Sequence, residues 1–268
     1  MDAFLDGSIQ PEKPDAAIQA SLLMILLAAI SVPAIRELSA LIKKTSAKVF
    51  MPPALTTVLL LASSFYWAQF FETPPAFLAV YVPLVLAFGF LALFLYQGVR
   101  FGNEAVIANC GANALTILYL GLLASFFPAI RITFGIWAFL MFICVVKASD
   151  IGAYTFGRIF GKHKFAPRIS PKKTWEGLGG AAFAAVLVAS IFSMACGIMC
   201  LWKAIAFGAM FAFLGQLGDL AESMIKRDAE QKDSANSVPG FGGVLDIIDS
   251  PIVTAAFAYG FFGIMIGR

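Results

Sequence analysis

Five long stretches of this chain contain no ionisable side chain, and each reaches the roughly 20 residues that an α-helix needs to cross the hydrocarbon core of a bilayer. They are Ala16–Ile35, Val49–Phe71, Thr73–Val99, Ala105–Ile130 and Gly177–Trp202. Only 13% of the residues are charged and the mean hydropathy is +0.86, whereas soluble domains average about 25% charged residues. The pattern predicts an all-α, polytopic transmembrane helical bundle and excludes a soluble core.

Three further apolar segments contain charged residues but are also long enough to span a bilayer. These segments are Ile132–Gly157, Ala204–Ile225 and Gly243–Gly267. We therefore expect about eight membrane-spanning helices, with a ninth, re-entrant one left open among the Gly- and Pro-rich stretches. We divide the chain into an N-terminal scaffold with a lipid-facing region, residues 1–131, and a C-terminal catalytic region with cytoplasmic loops, residues 132–268.

The basic residues are distributed unevenly between the two predicted sides. Fourteen Lys and Arg side chains flank the spans on one side and four on the other. Because cytoplasmic loops carry an excess of Lys and Arg, we expect the basic side to be cytoplasmic. The prediction is an integral protein of the cell (inner) membrane with both termini extracytoplasmic and with loops 158–176 and 226–243 in the cytoplasm.

The seventh span has one polar face. Asp219, Glu222, Ser223 and Lys226 follow one another at i, i+3, i+4 and i+7, so a helix places them on the same side. At 1.5 Å per residue, Asp219 lies roughly 10 Å below Lys226 along the helix. Ionisable groups at this depth are costly and mark functional sites by default. An alternative is that these charges neutralise one another and only hold helices together.

The eighth span begins with two further acids, Asp246 and Asp249, which we expect to face the seventh span across a short loop. Carboxylates that converge with the Ser223 hydroxyl form a hard-oxygen site suited to Mg²⁺. The cluster and the neighbouring basic side chains together favour phosphate chemistry over a simple metal store.

Three other segments carry candidate binding residues. The loop that ends in Gly242 and Gly243 allows its backbone to approach an anion closely at a helix start. The run Ser170–Gly177 contains Lys172, Lys173 and Trp175, and Pro171 predicts the start of a helix there. Asp150 lies at i+3 from Lys147, so an internal ion pair is an alternative to a role in binding.

Residues 223–249 resemble the signature of phosphatidate cytidylyltransferases (CDP-diacylglycerol synthases). The similarity is carried by Ser223, Lys226-Arg227-Asp228, Lys232-Asp233, Pro239-Gly240-Phe241-Gly242-Gly243, Asp246 and Asp249. The runs Ser170–Gly177 and 149–162 are similar to further family blocks. The family commonly has His in place of Phe241 and Arg in place of Ile247, so no role for an imidazole is carried over to this loop.

The resemblance implies that CTP and phosphatidic acid react to CDP-diacylglycerol and pyrophosphate in a Mg²⁺-dependent transfer, with a second metal ion left open. It implies Asp219 and Asp246 as metal ligands, with Ser223 and Asp249 in or next to the ligand set. Phosphates would be neutralised by Lys226, Arg227, Lys172 and Lys173. The remaining substrate-binding candidates are Ser170, Trp175, Asp150, Asp228, Lys232, Asp233, Gly242 and Gly243.

Two other functions compete with this interpretation. Another lipid-phosphate transferase would use similar chemistry, but the Asp-Gly-x2-Ala-Arg string of CDP-alcohol phosphotransferases does not occur in the sequence. A cation-coupled transporter would explain the intramembrane carboxylates but not the lysines and the Gly-rich loop at the same face. The expected partners are CTP, phosphatidic acid and the lipid bilayer, with no nucleic acid and with a homodimer left open.

Overall fold

The computed structural model describes residues 19–231 and 242–266, most of which are helical. The α-helices are α1 (Ser21–Ile42), α2 (Met51–Ala62), α3 (Ser64–Ala68), α4 (Pro74–Phe101), α5 (Val106–Ile117), α6 (Phe126–Phe160), α7 (Trp175–Cys196), α8 (Leu201–Asp228) and α9 (Val244–Met265). A short π-helix, Leu118–Leu122, follows α5, and strands β1 (Lys164–Ala166) and β2 (Ser170–Thr174) form an antiparallel hairpin between α6 and α7.

The described residues contain six apolar helical segments long enough to span a bilayer, and one of them is the 55-residue stretch Val106–Phe160. This stretch is interrupted at Gly135, which has φ 89° and ψ 178°. The ring centroids of Phe127 and Phe142 are 6.1 Å apart, whereas 15 residues of straight helix would separate them by about 22 Å. The chain therefore turns back at Gly135, and the stretch forms two crossings.

Counting Val106–Phe160 twice and the shorter pair α2–α3 once gives the eight crossings expected from the sequence. The break between α2 and α3 falls at Ser63. The structure confirms an all-α, polytopic membrane protein, with many large apolar side chains exposed on its outer surface. Such side chains are compatible with lipid rather than with water.

The segment around Pro171 is a strand and not the helix that its proline predicted. Ser170–Thr174 pairs with Lys164–Ala166, and α7 begins only at Trp175. The extended Thr174 caps this helix, because its side-chain oxygen accepts a hydrogen bond from the Gly177 N–H at 3.1 Å. The proline is compatible with a two-stranded hairpin, since both strands are edge strands.

Helices α6, α8 and α9 share an aromatic core that fixes their relative positions. Phe207 and Phe211 of α8 stack with ring centroids 4.1 Å apart, and Phe207 stacks on Phe262 of α9 at 5.0 Å. Phe142 of α6 contacts the ring of Phe211 edge-on, and all four rings are fully buried. This core lies beyond the polar ends of α8 and α9 and holds those ends side by side.

Candidate active site

A lysine near the end of α8 joins this helix to the start of α9. Lys226 Nζ donates to Glu222 Oε2 at 2.5 Å and to Asp246 Oδ1 at 2.8 Å. The Glu222 side chain is only 1% exposed and that of Lys226 14%. A buried carboxylate needs a paired cation, because leaving it uncompensated is strongly destabilising. Lys226 therefore compensates acids from two different helices.

Asp219 lies about one turn before Glu222 on α8, and its side chain connects this helix to β2 and α9. Its Oδ2 accepts from Lys173 Nζ of β2 at 3.1 Å, and its Oδ1 accepts from the fully buried Ser250 hydroxyl of α9. Lys173 Nζ also donates to the Gln216 carbonyl at 3.0 Å. Because side chains alternate along a strand, Lys173 points towards α8 while Lys172 is exposed.

The start of α9 is fixed by two carboxylates. Asp246 Oδ2 accepts from the Gly243 N–H at 2.7 Å and so caps its own helix. Glu37 of α1, buried to 5% exposure, accepts from the N–H groups of Val244 at 3.0 Å and Leu245 at 2.9 Å. Glu37 was not among the residues selected from the sequence. Its only sequence signal is a carboxylate at the end of an apolar span, and its partners lie more than 200 residues away.

Gly242 lies close to the Asp246 carboxylate, and a residue with a side chain would be strained at this position. Its φ is +93°, a conformation that L-residues with side chains rarely adopt. A Cβ atom at this position would lie 2.6 Å from Asp246 Oδ2. The glycine predicted at this loop therefore meets a geometric requirement next to Asp246.

Five carboxylates form a group that we call the acidic cluster: Asp150, Asp219, Glu222, Asp246 and Asp249. Asp249 is 7% exposed and lies within electrostatic range of Asp219 and Glu222. Asp150 is within range of Asp219 and pairs with Lys147 at 3.3 Å. The lysines that pair with the cluster are Lys147, Lys173 and Lys226. The cluster and these lysines together carry two more formal negative charges than positive ones.

The donor atoms of the acidic cluster are chemically suited to a divalent cation. All are oxygens, which Mg²⁺ prefers, and the excess of negative charge matches its valence. Asp150 Oδ1 and Glu222 Oε1 are buried with no hydrogen-bond partner in the described part of the chain. Within residues 19–231 and 242–266, no three Asp, Glu, His or Cys side chains are grouped closely enough to hold a metal ion. Lysine ammonium groups occupy oxygens of Asp219 and Asp246, so binding a cation there requires the lysines to change partners.

The other residues selected from the sequence lie around the cluster or outside the described residues. Trp175 is exposed and its ring lies 5.2 Å from that of Phe165 on the hairpin. Arg227 is exposed and its Nε donates to the Ile169 carbonyl at 3.4 Å. Ser223 is half-buried on α8 and Asp228 is exposed at its end, while Ser170 is half-buried in β2. Lys232 and Asp233 lie outside the described residues.

The fold and the cluster define an integral membrane protein with a partly buried acidic and basic site where α6, α8, α9 and a hairpin meet. The chain belongs to the cytidylyltransferase family, whose sequence pattern matches residues 16–265. The match includes the N-terminal spans, which the resemblance in the sequence motifs did not cover.

Three relatives, each named phosphatidate cytidylyltransferase, illustrate the similarity. The Brucella suis protein is 42% identical over 130 residues, which are 47% of each chain. The Bacillus subtilis protein is 35% identical over 179 residues, 65% of this chain and 66% of the relative. The Mycobacterium tuberculosis protein is 39% identical over 123 residues, 46% of this chain and 37% of the relative. The chain thus spans about half the length of the Brucella relative and a smaller share of the mycobacterial one.

Proposed function

We propose that this protein transfers the cytidylyl group of CTP to phosphatidic acid and releases pyrophosphate. The observation that carries the proposal is the junction of α8, α9 and the hairpin, where Asp219 pairs with Lys173 and Asp246 with Lys226. Membership of the cytidylyltransferase family and the printed names of the relatives support the substrate class.

In the proposed reaction, an oxygen of the lipid phosphate forms a bond to the α-phosphorus of CTP. The bond between that phosphorus and the β-phosphate oxygen breaks, and pyrophosphate leaves with the electron pair. A phosphate monoester has a second pKa of about 6 and is already anionic near neutral pH. No side chain has to act as general base, so the residues act through positioning and neutralisation of charge.

The two lysines have a defined part in this proposal. Lys173 and Lys226 each donate to a carboxylate, and phosphate oxygens are strong acceptors for ammonium groups. When a polyphosphate and its cation enter together, the ammonium groups turn from carboxylate to phosphate. Lys172 and Arg227, both exposed around the hairpin, contribute positive charge at the entrance.

Asp219 and Asp246 would hold Mg²⁺, with Asp249 and Ser223 next to it. Bound there, the ion would neutralise phosphate charge during the transfer. The proposed ligand set is supported by the all-oxygen donors and by the negative excess of the acidic cluster. An exchange of lysine partners would link the binding of the cation to that of the nucleotide.

The proposed site lies on the cytoplasmic side of the cell (inner) membrane, and both termini lie on the other side. The positive-inside distribution of Lys and Arg supports this orientation. A water-soluble nucleotide would reach the cluster from the hairpin side. A lipid would reach it sideways from the bilayer, so the two would meet just below the interface.

A direct assay tests the proposal. The purified protein in mixed micelles is incubated with CTP, Mg²⁺ and phosphatidic acid, and pyrophosphate and CDP-diacylglycerol are measured together. Equal amounts of both products are expected, and none without the lipid. Uptake of a cation by proteoliposomes without either product would support the transporter alternative instead.

A further inference from the structure

Tyr119 lies in an irregular helical segment. The π-helix Leu118–Leu122 follows α5 directly. π-Helices are rare and frequently occur at functional sites, because the wider turn is less stable than an α-helical one. The segment packs against α2, where a Cβ on Gly121 would lie 3.0 Å from the Val58 Cα, and it also contacts α9.

The hydroxyl of Tyr119 is buried without a described partner. The side chain is only 6% exposed, and its oxygen has no hydrogen-bond partner within residues 19–231 and 242–266. Buried tyrosine hydroxyls usually find a partner, because leaving a polar group unsatisfied destabilises the fold. A phenylalanine would fill the same volume without this cost, so packing alone does not account for the hydroxyl.

The position of the hydroxyl relates it to the acidic cluster. It is within electrostatic range of Asp249, Glu222, Asp219 and Asp246. Asp249 lies five residues into α9, about 8 Å along the helix from its start. Tyr119 therefore lies on a segment that contacts α9, the helix that carries Asp246 and Asp249.

We propose that the Tyr119 hydroxyl is a substrate-binding group that donates a hydrogen bond to a phosphate oxygen in the site. This inference rests on the proposed function. A phenol is a neutral donor at physiological pH, and the substrate phosphates supply the acceptor that the described residues do not. Both the lipid phosphate and the CTP phosphates have this chemistry, and the experiment separates them.

The test is the variant Tyr119→Phe, which removes one oxygen and keeps the ring. We expect kcat/KM to fall about 10- to 100-fold, the usual effect of losing a hydrogen bond to a charged group. The midpoint of thermal unfolding should stay the same or rise, because an unsatisfied group has been removed. A raised KM for phosphatidic acid identifies the lipid phosphate as the acceptor, and a raised KM for CTP identifies the nucleotide.

A matched control is Tyr259→Phe. Tyr259 lies ten residues beyond Asp249 on α9, in an aromatic cluster with Phe65, Phe126 and Phe134, and its variant should keep wild-type kinetics. If the wild-type protein is active and Tyr119→Phe has the same kcat/KM for both substrates, the inference is overturned and the proposed function stands. If the wild-type protein forms no product, the proposed function fails and the inference fails with it.

Discussion

Lys173 Nζ lies 3.1 Å from Asp219 Oδ2, so a lysine of the hairpin reaches an acid on the membrane-spanning helix α8. The side chain of Lys173 is 15% exposed, whereas Lys172 beside it is exposed. The alternation of the strand thus separates two lysines that are equivalent in the sequence. We interpret Lys173, which points inward, as the lysine whose ammonium group moves from the Asp219 carboxylate to a substrate phosphate.

The two lysines should differ in their effect on activity. We expect Lys173→Gln to lower kcat/KM about 10- to 100-fold, because a charge-assisted hydrogen bond to substrate is lost. The loss in Lys172→Gln should be several-fold smaller, since its side chain is exposed. Lys164→Gln, on the paired strand, is the control and should match the wild type. Equal losses at positions 172 and 173 in steady-state assays would contradict the assigned orientation.

Lys226 should matter for stability as well as for activity. Lys226→Met leaves the buried Glu222 and Asp246 without their shared cation, and breaking a buried pair in this way costs about 3–5 kcal/mol. The expected result is a clearly lower midpoint of thermal unfolding in detergent. Adding Glu222→Gln to this variant removes one uncompensated charge and should recover part of the loss. A double variant less stable than Lys226→Met would show that Lys226 does not act through Glu222.

Glu37 should stabilise the start of α9. Glu37→Ala removes the acceptor for two backbone N–H groups in a buried place, and each unsatisfied donor costs about 1–3 kcal/mol. We expect a lower unfolding midpoint and lower kcat, because Asp246 lies in the turn that Glu37 holds. Glu37→Gln keeps one acceptor oxygen and should be intermediate. The exposed Glu72 provides the control Glu72→Ala, and an effect of Glu37→Ala no larger than this control would exclude a positioning role.

Gly242 should tolerate no side chain. Gly242→Ala forces an L-residue into a left-handed conformation, at about 1–2 kcal/mol, and brings a methyl group against Asp246. We expect reduced kcat and a weaker dependence on Mg²⁺ in a titration of activity. In Gly98→Ala, no atom lies within 4 Å of the added methyl group, so this variant should be neutral or slightly more stable. Full activity in Gly242→Ala would show that this backbone position does not shape the site.

The sequence predicted those features that depend on interactions between residues close together in the chain. The spacing of Asp219, Glu222 and Lys226 predicted one polar face, and in the structure all three form ion pairs: Lys226 pairs with Glu222, and Asp219 pairs with Lys173 of the hairpin. The charge at Arg131 marked the break in the apolar stretch that the structure shows four residues later at Gly135. Helical periodicity and the cost of charge in lipid suffice for both predictions.

Other features depend on contacts between distant segments. Glu37 accepts a hydrogen bond from Leu245, which lies 208 residues further along the chain. The residues next to Tyr119 in the sequence give no sign that it lies near the acidic cluster. The strand at Ser170–Thr174 was missed because its pairing partner, Lys164–Ala166, sets its conformation and local propensity does not. These residues could be found only once the helices were packed.

The central claim is that acids from α8 and α9 share one divalent cation, and anomalous scattering from crystals grown with Mn²⁺ tests it most directly. We expect a peak between the carboxylates of Asp219 and Asp246, with Lys173 and Lys226 moved from these oxygens. The peak should be absent in Asp219→Asn. A wild-type crystal with no peak at this junction would contradict the shared site, and so would a peak elsewhere in the bundle if the measured activity depends on Mg²⁺.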